Sequence, residues 1–229
     1  MNDTPSTLER TPFQSLVAGR FGVLPNFFRS GAAAPGLIER LWEFACAAYL
    51  DNPLPSLFKE RLFVYLSQFC PVRYCIVRHV GFLIGRGRPA GDAEAPTQTI
   101  EQVITMLRRP RPDLAGFDLA VRRLLERPTA AEMPEADTEF ENDLFDALTL
   151  LFLTPLASLR ARDAIRAAVG ETKFEYLAAF LVFIRAAHYW TETHPEVEIE
   201  ADMRAVMEAN RELERILMHG PETGRPPPL

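Results

Sequence analysis

Apolar residues three and four positions apart run along nearly the whole of this chain, and no segment shows the two-residue alternation of a half-buried strand. That periodicity confines the fold to packed helices. Pro35, Pro53, Pro55, Gly87, Pro89, Pro128, Pro134, Pro155, Gly170 and Pro195 interrupt it, and proline lacks the N–H that a helix interior needs. The intervals between them predict helices over 36–50, 56–69, 71–85, 97–108, 114–126, 140–153, 157–169, 172–193 and 200–218. The expected fold class is all-α. One domain over 1–218 would hold two helical halves, at about 15–109 and 114–200, and a C-terminal helix at 200–218. Residues 219–229, rich in proline, read as a flexible tail or linker.

With 229 residues, 48% of them apolar, the chain can bury a sizeable core. A net charge of −6 and no dense run of Lys or Arg argue against nucleic acid as a partner, and Arg108, Arg109 and Arg111 read as a solvated connector. The most apolar stretch, 174–190, carries Glu175, Arg185 and His188 and falls short of the roughly 20 clean residues that cross a bilayer, so no membrane partner is expected. Three cysteines cannot all pair within one chain, and the first residues lack the basic start and apolar core of a secretory signal. Both observations point to the cytoplasm. His188 and His194 are six positions apart and Cys46 has no companion at ligand spacing, so no metal is expected. The absence of GxGxxG, Walker and GxSxG motifs leaves no support for a nucleotide cofactor or a serine nucleophile; no cofactor is expected. Trp42, Phe44, Phe63, Phe82, Phe180, Phe183 and Trp190 read as core, with some available to line a pocket for an apolar hydroperoxide.

The chemistry-bearing residues cluster in KERLFVYLSQFCPVRYCIVRHVGFLIGRG, residues 59–87. Pro71 suits the first turn of a second helix, so the chain turns near Cys70. Glu60 stands about 10 residues before that turn and His79 about 8 after it; at roughly 1.5 Å per residue, antiparallel helices bring them to similar height. Cys75 and His79, four apart, share a helix face. A carboxylate fixes the tautomer of a histidine, and an imidazole beside a thiol can take its proton. Arg73 and Arg78, with the helix N-terminus, would favour the thiolate, so Cys75 is expected to titrate low and react. The competing interpretation is packing, since free cysteine is among the most buried residue types.

At these residues the chain resembles the alkylhydroperoxidase D-like and carboxymuconolactone decarboxylase superfamily. The family pattern is a Glu, a Cys fifteen residues later with a partner Cys in a CxxC, and a His four residues on; Glu60, Cys75 and His79 match it. The partner position holds Val72, and a cysteine stands at Cys70 instead. FGVLPNFFRSGAAAPGLIERLWEF, residues 21–44, also looks like the segment before the redox hairpin in peroxidase-related members. The resemblance implies an all-α bundle around a central redox hairpin. It also implies thiol-dependent hydroperoxide reduction, with Cys75 attacking, His79 as base and Glu60 orienting it. The implied partners are an organic hydroperoxide or other small molecule, an external thiol reductant, and further copies of the chain in a homo-oligomer. Cys70 is the one nearby candidate for a resolving thiol. Helical positions five apart have α-carbons about 8–9 Å apart, beyond the roughly 7 Å a disulfide tolerates, so Cys70 must lie outside the helix to serve.

Two alternatives stand beside this expectation. The missing CxxC partner suits a non-catalytic or redox-sensing input module, joined through the 200–218 helix and the tail to a fused or partner signalling domain. The same scaffold also hosts lactone decarboxylases, which need no redox cysteine.

Overall fold

The computed structural model describes residues 10–219, and among these every regular element is helical. The helices are α1 (Pro12–Phe21), α2 (Pro35–Ala45), α3 (Ser56–Ser67), α4 (Tyr74–Leu83), α5 (Ile100–Arg108), α6 (Leu114–Glu126), α7 (Glu139–Leu153), α8 (Leu159–Val169), α9 (Glu171–Thr193), α10 (Ala201–Ala209) and α11 (Arg211–His219). Short 3₁₀ turns occupy Asn26–Arg29 and Pro89–Gly91. The expected all-α class is what the chain adopts. All but the first residue of the expected 219–229 tail lie outside the described residues.

Four local departures have physical causes. Helix α1, missed by the periodicity reading, is started by a capping box in which Thr11 and Gln14 satisfy each other's backbone N–H, with Pro12 in the first turn. The 36–50 helix splits: beyond Ala45 it widens into a π turn, Cys46–Leu50, where the Asp51 N–H reaches back to the Cys46 carbonyl. The second arm of the hairpin begins at Tyr74 rather than Pro71, leaving Cys70 in the connecting turn. The 200–218 helix breaks at Asn210, whose extended backbone (φ −135°) separates α10 from α11.

Lys59 explains why the π turn is tolerated. Its ammonium, buried to 1% exposure, donates to the carbonyls of Tyr49 and Asn52, each at 2.7 Å, and also reaches Leu50. A cation at a helix C-terminus both satisfies orphaned carbonyls and complements the dipole.

Two apolar clusters meet across α4. The main core draws on both halves, from Val17 through Phe63 and Phe82 to Phe145, Phe180 and Ala187. The second takes the opposite face of α4, through Ile76, Val77, Val80 and Leu83, and packs it on α5, α10 and α11. Polar anchors tie α3 to the second half. Arg61 grips Glu141 with two bonds of 2.7 Å, both side chains almost fully buried, and Tyr65 joins Arg109 and Asp146.

Helices α3 and α7 share one apolar spacing: Phe58, Leu62, Phe63 and Leu66 in the first, Phe140, Leu144, Phe145 and Leu148 in the second. At the same offset, Glu60, Cys75 and His79 correspond to Asn142, Ala157 and Ala161. The second half repeats the packing surface without the chemistry.

Candidate functional site

Glu60 is fully buried, and its carboxylate accepts three hydrogen bonds. The His79 Nδ1 meets Oε1 at 2.5 Å. The Tyr49 hydroxyl, delivered by the π turn, donates to Oε2 at 2.5 Å, and the Ala90 N–H donates to the same oxygen at 2.7 Å. Ala90 aims its N–H from a left-handed backbone (φ 47°), a conformation uncommon for a residue with a Cβ and often found at functional sites. Three groups thus converge on both oxygens of one buried carboxyl.

With Glu60 as the acceptor, the neutral ring takes the tautomer with its proton on Nδ1, which leaves Nε2 as the acceptor. Nε2 has no hydrogen bond among the described residues. The imidazole is fixed in place by rings: Phe63 stacks on it with centroids 3.4 Å apart, and Phe82 and Tyr49 present edges at 5.4 and 5.9 Å. The antiparallel hairpin thus brings the expected acid and base together.

Cys75 occupies the first turn of α4 as expected, but its environment differs from the expectation. Its sulfur lies 3.6 Å from the Thr191 hydroxyl and 3.9 Å from the Ala187 carbonyl, both on α9, and makes no hydrogen bond to His79. Burial pushes the thiol up rather than down, and the nearby Cys70 adds to the rise, against a smaller lowering by Thr191. The arginines expected to favour a thiolate are engaged elsewhere. Arg73 donates to the Leu217 and Cys70 carbonyls, and Arg78 to Asp202 and the Arg86 carbonyl, with Glu200 at 3.6 Å. The low-titrating Cys75 is therefore corrected to a protonated, shielded thiol.

Cys70 lies outside the helix, as a resolving role requires, but its thiol faces the Glu192 carboxylate at 3.7 Å. The thiol is pushed up to about 11, chiefly by burial and also by Glu192, against a lowering by the Val72 backbone. All three cysteines are free.

Cys75 and His79 nevertheless border one cavity of about 30 Å³, lined also by Tyr74, Arg78 and a group of phenylalanines that includes Phe27 and Phe183. The Tyr74 hydroxyl is committed to Glu200 at 2.6 Å and accepts from the Phe27 N–H. A base with a free lone pair and a thiol thus face the same small apolar space. That arrangement can move a proton from sulfur to a bound molecule beside a thiol that is buried and an imidazole that is 12% exposed.

Tyr49, Ala90 and Thr191 were not foreseen. Each reaches the site from a distant segment, so no spacing signal marks them. His188, which interrupts the apolar 174–190 stretch and is poorly spaced from His194 for a metal, has a buried polar partner. Its ring bonds Ser67 at 2.9 Å on the far side of Phe63 and stays neutral, pushed down to about 3 chiefly by burial. Among the described residues no three His, Cys, Asp or Glu side chains cluster as a metal site, and no helix is long and apolar enough to cross a membrane.

No protein-family model matches the chain. No curated protein and no solved structure matches it either.

Proposed function

We propose that this chain is a thiol-dependent hydroperoxide reductase of the alkylhydroperoxidase D-like type. Cys75 is the attacking sulfur, His79 the base and Glu60 the residue that orients it. The observation that carries the reading is the shared cavity: the unpartnered face of a carboxylate-bound imidazole and the Cys75 thiol bound one space. The Glu60, Cys75 and His79 spacing that resembles the superfamily supports it independently.

In the reaction, His79 Nε2 takes the Cys75 proton as the peroxide arrives. The sulfur attacks the nearer peroxide oxygen, the O–O bond breaks, and the departing oxygen takes that proton and leaves as water or an alcohol. Two electrons pass from sulfur to the peroxide, leaving a sulfenic acid. An external thiol condenses with it, releasing water and forming a mixed disulfide. A second external thiol then restores Cys75 and departs in an oxidised disulfide. The raised thiol titration favours a base that acts at the moment of attack over a standing thiolate. Unpaired cysteines suit a reducing compartment such as the cytoplasm, and the resemblance implies self-assembly, which sedimentation velocity checks.

The test is intact-protein and peptide mass spectrometry after a stoichiometric peroxide dose. Oxidation at Cys75 that is lost in His79→Gln supports the assignment; an inert Cys75 removes it.

A second reading has a specific observation in its favour. With Val72 in the partner position and the Cys70 thiol turned to Glu192, oxidation of Cys75 has no partner at hand, which suits a redox-sensing module. Repeated turnover of peroxide with a thiol donor excludes that reading, and a single oxidation event without turnover favours it.

A further inference from the structure

We infer that the peroxide this site admits is hydrogen peroxide, and that organic hydroperoxides are excluded by the walls of the cavity. The inference rests on the thiol-peroxidase reading above and names its substrate. The space beside Cys75 and His79 is about 30 Å³, where a single water needs roughly 10–15 Å³. Pockets for drug-sized ligands run to roughly 300–1,000 Å³, an order of magnitude larger. Hydrogen peroxide, with no atoms beyond its two oxygens and their hydrogens, is near that limit. An alkyl or aryl group is far beyond it.

The walls are not free to yield. Phe21 lies flat on Phe82, with centroids 4.9 Å apart and planes 5° from parallel, and Phe183 stacks on Tyr49 at 5.5 Å. Phe63 is wedged between His79 and Phe180. Each of these rings is almost entirely buried, so a bulky substituent has to displace several at once. Forcing carbon atoms into a packed core carries a penalty equivalent to roughly tenfold to a hundredfold in rate.

The polar groups lead to the same conclusion. Arg78 borders the cavity, but its charge is met by Asp202 and Glu200, and the Tyr74 hydroxyl is spent on Glu200. What remains for a guest is the His79 ring, the Cys75 thiol and the buried Arg78 Nε, which has no hydrogen-bond partner. They serve a small neutral molecule that donates one hydrogen bond and offers an oxygen to sulfur. The bond changes are those given above, with water as the product that leaves.

The experiment measures the rate of Cys75 oxidation in the whole chain by hydrogen peroxide, tert-butyl hydroperoxide and cumene hydroperoxide. Each rate is divided by that of the same peroxide with a small free thiol, which removes intrinsic reactivity. The expected result is a normalised rate for hydrogen peroxide at least about tenfold above that for cumene hydroperoxide. Phe183→Ala, checked for an intact thermal transition, is expected to narrow that ratio by opening the wall. Equal or faster normalised oxidation by the bulky peroxides overturns the size selection while leaving the thiol-peroxidase reading standing. Failure of all three to oxidise Cys75 overturns both.

Discussion

The phenyl ring of Phe63 lies face to face with the imidazole of His79, centroids 3.4 Å apart and planes 14° from parallel, while its edge turns toward His188 at 6.0 Å. One apolar side chain therefore separates two histidines with different partners. His79 is oriented toward the Glu60 carboxyl, and His188 is kept neutral beside Ser67. Phe63→Leu removes the flat surface while keeping the site apolar. Its expected cost is about 1–2 kcal/mol in chemical denaturation. The imidazole Nδ1–H resonance of His79 should broaden, because the ring gains freedom about its side-chain torsions; an unchanged resonance argues that Glu60 alone holds it.

Glu60→Gln keeps the shape of the acid and discards its charge. The amide cannot accept as a carboxylate does from Tyr49, Ala90 and His79 together, so at least one buried donor is left unmet. Stability should fall by about 1–3 kcal/mol. The rate of Cys75 oxidation should fall by about 10–100-fold, the usual worth of a group that orients another, within the 10²–10⁴ of the base itself. Trapping the sulfenic acid with a dimedone-type probe gives that rate directly, and a rate equal to the unsubstituted protein's would sink the orienting role of Glu60.

His188 makes stability depend on pH in a direction that can be worked out. Its folded titration point, about 3, lies below the ordinary histidine value of 6.5, so between the two the unfolded chain binds the extra proton. Stability attributable to the neutral ring is present above pH 6.5 and is lost as pH falls toward 3. The slope approaches about 1.4 kcal/mol per pH unit inside that window. Urea denaturation at pH 7, 6 and 5 should show this decline in the parent and a flatter one in His188→Gln. Matching slopes would mean that other groups carry the dependence.

Arg61 and Glu141 hold the two halves together from inside, with side-chain exposures of 2% and 1%. Removing one charge strands the other, so Arg61→Met is expected to cost about 3–5 kcal/mol. The Arg61→Met, Glu141→Leu double variant should recover most of that loss, because both charges are then gone. Thermal and urea unfolding of the three variants form a double-mutant cycle, and a double variant as unstable as the sum of the singles would contradict the ion-pair account.

The helices and the meeting of Glu60 with His79 were legible because both follow from rules that act along short stretches of chain. Apolar period and proline placement set the rods, and a fixed rise per residue on either side of one turn sets the height at which an acid and a base arrive. The π turn was not legible. Its cause is the Lys59 ammonium folding back on the carbonyls of Tyr49, Leu50 and Asn52, a bond between segments rather than a preference within one.

Cys75 marks the boundary between the two kinds of information. Its place on α4, one turn from His79, could be read from a spacing of four. The direction its sulfur faces could not, because Thr191 lies 116 positions away on a helix that only the packed chain lays against it. The same is true of its charge state. Whether a thiol titrates low or high depends on which dipoles, cations and apolar walls surround it, and those arrive from α1, α9 and α10 only once the two cores have closed.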